Sequence, residues 1–274
     1  MFSSSAKQPL RIAAAALALA GLLLPQTAAA EDLPLPGKQI AVAGDSAGGS
    51  NWTFGVAPYV WAAGIKGDTA QLGAPAVEID AKFTDLFDVL DFAGMVVGEA
   101  RNGPYGVFFD FVYTKLSTAF SAPVVLLFDD VEMETETLTF TAAPEYRVFE
   151  SQDGTLDFLG GLRVWGVRTE ITTSGGELCK RTAKDEEYWV DPLIGAKGRV
   201  NFTPEFYLTG WAMIGGFGVS SDFMWDAFGG FGYQFNDSIA AVLGFRAFGV
   251  DYQDGPFLYD VVQYGPVTGA VFRF

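Results

Sequence analysis

Charged residues two positions apart recur along this chain, as Glu99 with Arg101, Glu145 with Arg147, and Lys197 with Arg199. On an extended strand, residues two apart share a face, so the members of each pair stand side by side. Carboxylates held this way can move protons or bond guanidinium groups through charge-assisted contacts. Most other catalytic equipment is missing. The 274 residues include no histidine, which excludes imidazole-dependent nucleophiles and His-ligated metal sites. The single cysteine, Cys179, lies beside Lys180 and Arg181; such neighbours lower a thiol's pKa, but it has no histidine to work with. Glycine pairs lie within strand-like segments rather than in phosphate-cradling loops. No pattern sets two acids beside a substrate groove, so no catalytic residue is assigned and no cofactor is implied.

Two acidic clusters raise a metal question. Asp129, Asp130, Glu132, Glu134 and Glu136 form one, and Asp80, Asp85, Asp88 and Asp91 the other. Carboxylates at that density suit calcium or magnesium, yet no Asp-x-Asp-x-Asp-Gly spacing is present. Both read as solvated surface, and no metal site is assigned. Lys180, Arg181 and Lys184 could meet lipopolysaccharide phosphates. They are interleaved with Glu177, Asp185, Glu186 and Glu187, the pattern of a mixed-charge loop.

The chain carrying these groups is both strongly acidic and half apolar. Lys+Arg number 17 against 33 Asp+Glu, a formal charge of −16, while 50 % of residues are hydrophobic and 15 % aromatic. Acidic disordered chains are poor in apolar residues, and nucleic-acid binders present basic surfaces, so neither class fits. Past residue 30 no run approaches the roughly 20 apolar residues of a membrane helix. Many aromatics without such a run point to β-structure.

Residues 1–30 have the form of a secretory signal peptide. Lys7 and Arg11 precede an apolar stretch from Ile12 to Leu24, and Ala28 and Ala30 occupy the cleavage positions. Cleavage removes two bases and no acids, leaving 15 against 33 and a formal charge of −18. One cysteine allows no internal disulfide, which rules out a small disulfide-stapled secreted fold. Residues 31–50 lack periodicity and read as a flexible periplasmic leader; residues 51–274 read as the barrel domain.

From Asn51 onward, ten segments show period-2 patterning: Trp52–Ile65, Phe92–Arg101, Tyr105–Leu116, Thr135–Phe149, Thr155–Ile171, Tyr188–Phe202, Glu205–Val219, Met224–Phe235, Ile239–Tyr252 and Leu258–Phe274. Tight turns at Asn102-Gly103-Pro104, Gln152-Asp153-Gly154, Thr203-Pro204 and Asn236-Asp237 alternate with longer connections at Lys66–Asp91, Ser117–Glu134, Thr172–Glu187, Ser220–Phe223 and Gln253–Phe257. Short turns at one end and long loops at the other characterise transmembrane β-barrels, whose short turns are periplasmic. The expected fold is all-β, a transmembrane antiparallel up-and-down β-barrel of about 10 strands, with 8 or 12 as alternatives. Within 66–91, Val77–Phe83 alternates weakly and 83–90 suits one or two helical turns, giving a folded outer loop or an inward plug.

The two faces of each segment differ. Val107, Phe109, Phe111 and Tyr113 oppose Phe108, Asp110, Val112 and Thr114, and Val190, Pro192, Ile194, Ala196, Val200 and Phe202 oppose Asp191, Lys197 and Arg199. Aromatics near strand ends, at Tyr59/Trp61, Tyr188/Trp189, Phe223/Trp225, Tyr233/Phe235 and Tyr259/Tyr264, sit where an interfacial belt is expected. The inward set is then Glu99, Asp110, Glu145, Asp157 and Asp191 with Arg101, Arg147, Arg163, Lys197, Arg199 and Arg246, five acids and six bases. An unpaired charge in a narrow interior is costly, so this near-balance favours ion-paired filling over a conducting path.

The C-terminus carries a more specific signal. Gly269, Phe272 and Phe274 in Gly-Ala-Val-Phe-Arg-Phe match the last strand of bacterial outer-membrane β-barrel proteins, a family this chain resembles. The resemblance implies that these three residues engage the barrel-assembly machinery. The opening Pro58-Tyr59-Val60-Trp61, the segment Phe83–Phe92 and the hairpin Glu99–Asp110 are similar to an uncharacterised group of proteobacterial outer-membrane barrels, which brings no activity with it. The resemblance implies outer-membrane lipid and lipopolysaccharide as surroundings. With no nucleic-acid partner, the expected role is envelope structure or narrow small-solute passage without catalysis. A loop-mediated binding or adhesion module is the alternative.

Overall fold

A computed structural model describes residues 52–121, 130–174 and 181–274. The signal peptide with Ala28 and Ala30, the leader, and Asp129, Glu177, Cys179 and Lys180 lie outside the described residues. The elements are β1 (Trp52–Trp61), β2 (Gly64–Ala70), β3 (Val77–Ala81), α1 (Phe83–Phe87), β4 (Leu90–Asn102), β5 (Tyr105–Ser121), β6 (Asp130–Ser151), β7 (Gly154–Ser174), β8 (Arg181–Asn201), β9 (Phe206–Gly215), β10 (Phe223–Asn236), β11 (Ile239–Asp254) and β12 (Phe257–Arg273). Antiparallel pairing runs β1-β4-β5 in sequence order to β12, and β12 returns to β1. Ten strands therefore close a barrel.

The last strand has two partners on its closing side. Its C-terminal half pairs with β1, from Arg273 opposite Gly55 to Val267 opposite Trp61, and its N-terminal half pairs with β2, from Tyr264 opposite Gly64 to Leu258 opposite Ala70. β1 and β2 are thus one long strand interrupted at Ala62 and Ala63. The chain then reverses into β3, the second strand added to the ten, and passes through α1 to β4. At the end bearing the termini the connections are short; Gly103 turns one of them with φ 58°, a left-handed conformation that glycine adopts without steric cost.

Strict alternation sets the faces. In β10, Met224, Asp226, Phe228, Gly230, Gly232 and Gln234 are buried while the residues between them face outward. Across to β11, Phe231 meets Leu243, and they are 67 % and 64 % exposed on the outside. A closed sheet that turns large apolar side chains outward all round, and polar ones inward, is built for hydrocarbon rather than water. From Tyr105 to Tyr113, nine residues, the outer face of β5 stays apolar or aromatic, which suits the 9–11 residues of a spanning strand. Tyr105 and Tyr146 form a tilted pair with centroids 5.3 Å apart, and Phe206, Tyr233 and Phe235 cluster at the same end, forming one aromatic girdle.

Several sequence expectations need correction. The connections expected at Ser117–Glu134 and Thr172–Glu187 are largely strand: β5 and β6 pair out to Ser121 opposite Asp130, and β7 and β8 out to Thr173 opposite Arg181. Above the lipid band the outward face becomes charged, so the apolar period disappears while the hydrogen-bond ladder continues. In the opposite direction, the strand expected over Glu205–Val219 ends at Gly215, because Gly216, Phe217 and Gly218 all take positive φ. The aromatic belt is smaller than the sequence predicts. Tyr188, Tyr233, Phe235 and Tyr264 are outside, but Tyr59, Trp61, Trp189 and Tyr259 are buried within the barrel. Residues such as 188 and 189 are neighbours on opposite faces, so both cannot belong to one belt.

Candidate functional site

Alternation on ten strands turns toward the lumen every charged residue expected there. All eleven are buried, and with them Asp226, so that among the described residues the buried charged set is six acids and six bases. Asp226 is the one member outside the set expected from the sequence. Its parity with Phe228, Gly230 and Gly232 on β10, opposite the bulky outward Phe231 and Tyr233, was the available signal.

The set forms two layers. Toward the tight turns, Arg101 meets Glu99 and Glu145 at 2.6 Å each and Asp157 at 3.1 Å. Lys197 meets Glu99 at 2.5 Å and Glu145 at 2.8 Å. Arg147 grips Asp157 with Nε at 2.9 Å and Nη2 at 3.1 Å. This layer draws on β4, β6, β7 and β8, and room for it depends on Gly106, where a Cβ would stand 2.5 Å from Glu145 Oε1.

Higher in the lumen, Asp226 is the hub. Arg246 Nε donates to it at 2.8 Å, Arg163 Nη2 at 2.7 Å and Trp211 Nε1 at 3.1 Å. Arg246 also donates to Asp110 Oδ2 at 3.1 Å, and Tyr59, expected in the belt, donates its hydroxyl to Asp110 at 2.9 Å. Two arginines and two aspartates neutralise one another here, as burial of charge requires. The remaining two predicted members do other work. Asp191 accepts from the amide and hydroxyl of Ser221 at 2.8 and 2.6 Å, anchoring the 216–222 turn; Arg199 lies 3.6 Å over the Tyr207 ring and donates to Asn201.

Above the charges stands a column of rings. Phe248 stacks on Trp165 at 5.0 Å, Trp165 on Trp189 at 5.4 Å, and Trp189 on Tyr252 at 4.0 Å. Arg163 and Arg246 lie under this column, 4.8 and 5.5 Å from Phe248, within cation–π range. Trp165 and Phe248, and Trp61 beside Phe248, are at most 1 % exposed, so these rings are packed out of contact with solvent.

The mouth is capped by the hairpin of β2 and β3. Its tip amide, Leu72 N–H, donates to Asp185 Oδ2 at 2.6 Å, and Asp185 belongs to β8, five strands away around the wall. The bond therefore crosses the opening, as an inward plug would. Facing outward beyond the lipid band, Lys115 pairs with Glu134 at 2.6 Å and Arg168 with Glu170 at 3.1 Å. Hydrogen bonding to Lys184, and then to Tyr188, holds the exposed Glu186 carboxyl below its ordinary range. Of the acids of 80–91, Asp85 accepts from Lys82 N–H at the start of α1, and Asp91 accepts from Ser117.

At the closing seam, Gly269 pairs with Tyr59 and Val242, while Phe272 and Phe274 face outward. Phe274 exchanges backbone hydrogen bonds with Phe54 at 2.9 and 3.0 Å.

A closed barrel with an apolar exterior and a charged, filled interior defines the class: this chain is a β-barrel protein of the bacterial outer membrane. No family model matches it, and no curated protein does. Solved structures similar to it are outer-membrane barrels. The outer membrane protease OmpT of Escherichia coli is 10 % identical, with a TM-score of 0.50 over 81 % of this chain and 96 % of that one. The translocator domain of autotransporter NalP from Neisseria meningitidis is 13 % identical, TM-score 0.45, over 83 % and 90 %. Ail, the attachment invasion locus protein of Yersinia pestis, is 13 % identical, TM-score 0.35, over 82 % and 99 %. These likenesses bear on the fold alone.

Proposed function

We propose that this barrel serves envelope structure without catalysis, its interior closed to solutes. The observation that carries the reading is that ten of the twelve buried charged residues pair in two compensating layers beneath a stacked aromatic column. Passage of a small solute would require both layers to part, and each arginine that lost its carboxylate would be left as a buried unpaired charge. Catalysis is disfavoured by the same packing and by the absence of histidine.

A second reading, binding at the cell surface, is favoured by the lengths of β5 to β8. These strands run 17 to 22 residues against 10 for β9, so one side of the barrel rises well above the lipid. Planar-bilayer recording of the refolded protein tests the closed interior. A silent inserted barrel is expected; steady conductance steps would replace the structural reading with solute passage.

A further inference from the structure

Like charges meet on the outer face where the plug hairpin joins the barrel. Register sets Asp251 of β11 opposite Asp260 of β12, Asp260 opposite Asp68 of β2, and Asp68 opposite Glu78 of β3. Four acids therefore occupy one rung across four consecutive strands. Asp68, Glu78 and Asp260 are exposed, and Asp251 is half-buried. Residues directly opposite on paired strands stand about 4.5–5.5 Å apart at Cβ, and like charges so placed destabilise the pairing. From Phe272 to Tyr264 the outer face of β12 covers nine residues, the length of a lipid-crossing strand, so Asp260 lies beyond the band.

Nothing of opposite sign stands in the rung. Among the described residues, Lys66 is the one base on the outer faces of β2, β3, β10, β11 and β12. It lies one step nearer the membrane and pairs with Asp80 at 3.8 Å. Lys82 follows β3, and α1 carries Asp85 and Asp88 at that membrane end of the hairpin. Asp222, just ahead of β10, adds a further acid beside Asp251, donating its amide to the Asp251 carbonyl. Burial, then Asp251, then Asp68 hold the Asp260 carboxyl above its ordinary range.

The rung is divided between two bodies. Asp251 and Asp260 belong to the barrel wall, Asp68 and Glu78 to the hairpin. β3 has β2 as its only ladder partner, so the hairpin is held by β12, by Ile65, Ile79 and Ala81 in the core, and by side-chain bonds. Thr69 donates its hydroxyl to Leu258 O at 3.0 Å, and Asp185 accepts from Leu72 at the tip. Repulsion along the rung acts across the β12–β2 junction and opposes these contacts.

We infer that this rung makes the plug hairpin a pH-responsive cover, loosened when the four carboxylates are ionised and drawn onto β12 when they take up protons. A carboxyl whose pKa is raised in the docked hairpin binds its proton more tightly there than in a detached one. Docking therefore strengthens as pH falls through the raised pKa and weakens as pH rises. Asp185 acts in the opposite sense, because protonation weakens it as an acceptor for Leu72. The inference is independent of whether the lumen conducts.

Amide exchange over residues 64–81 tests it, in protein refolded into vesicles, with intrinsic rates corrected and a chelator keeping divalent cations off the carboxylates. Between about pH 7.5 and about pH 4.5, a span that brackets carboxyl titration, hairpin protection relative to β9 should rise roughly two- to fivefold in acid. Asp260→Asn and Asp68→Asn should each raise protection at the higher pH and shrink the response. Asp237→Asn, at the tight-turn end, should respond as wild type does. Either rung variant suffices where the other fails to fold. Equal protection at the two pH values in wild type, a rise that persists undiminished in the rung variants, or a fall in acid would overturn the inference.

Discussion

Arg246 and Asp226 stand on adjacent strands but are offset by one step of the inner face: Arg246 lies opposite Phe228, and Asp226 opposite Phe248. The offset lets the guanidinium reach sideways, Nε to Oδ1 at 2.8 Å, while Phe248 lies above it. Asp226 is thereby the shared partner of Arg246 and Arg163, and its loss takes the carboxylate from buried Arg163 while Arg246 keeps Asp110. Asp226→Ala is expected to destabilise the barrel by about 3–5 kcal/mol, the penalty of leaving buried charges unpaired. Asp226→Ala combined with Arg163→Met, which keeps the Arg246–Asp110 pair, should recover part of that loss. Urea unfolding in lipid vesicles measures both; a double variant no more stable than the single one would contradict the charge-pairing account.

Removing interior cations should open the barrel. Arg163 fills the centre beneath Trp165, and Arg199 covers Tyr207 near the tight-turn end. Arg163→Ala with Arg199→Ala is expected to raise bilayer conductance from near zero to resolvable steps. An unchanged silent trace would indicate that the aromatic column alone seals the lumen.

The plug hairpin hangs on few bonds at its tip. Asp185→Ala removes the carboxylate that accepts from Leu72 N–H, and a hydrogen bond to a charged group contributes about 1.5–3 kcal/mol. Amide exchange at residues 70–74 should accelerate by roughly tenfold or more, since 1.4 kcal/mol is a factor of ten in local opening. Exchange in β9 and β10 serves as the unchanged reference. Equal rates in both proteins would show that the hairpin is held by its own packing.

Deletion of Phe274 is expected to impair assembly, read as loss of the heat-modifiable form in cell envelopes. Structure adds a reason beside recognition by assembly machinery: Phe274 and Phe54 exchange backbone hydrogen bonds where the cylinder closes, and their rings lie 6.2 Å apart. Replacing Phe274 with Leu retains the backbone bonds. Normal assembly of the deletion would remove the residue from both roles.

What was legible in the sequence depended on lipid contact. Wherever the outer face touches hydrocarbon, as in Val107, Phe109, Phe111 and Tyr113, apolar residues recur every second position and the strand can be read. Past Lys115 and Glu136 the outer face is polar and the apolar period is lost, so the sequence pattern reads the outer ends of β5 to β8 as loops. The charges of the lumen were legible for the converse reason, since Asp191 or Lys197 between apolar neighbours stands out. Asp226 did not, because small glycines on its own face blurred the contrast.

Alternation, turn spacing and the balance of inward charges were determined by the sequence alone, because a strand's side-chain period is local and needs no partner. Which inward charges meet is decided only by closure. Asp110, Asp226 and Arg246 lie on β5, β10 and β11, and the sheet must bend into a ring before β5 faces the other two. The same closure turned Tyr59, Trp61 and Trp189 from supposed belt residues into lumen filling. Between Pro58 opposite Val96 and Ile65 opposite Ala81, residues 59–64 are set against the longer run 82–95, and that mismatch is likewise a property of register that no single strand contains.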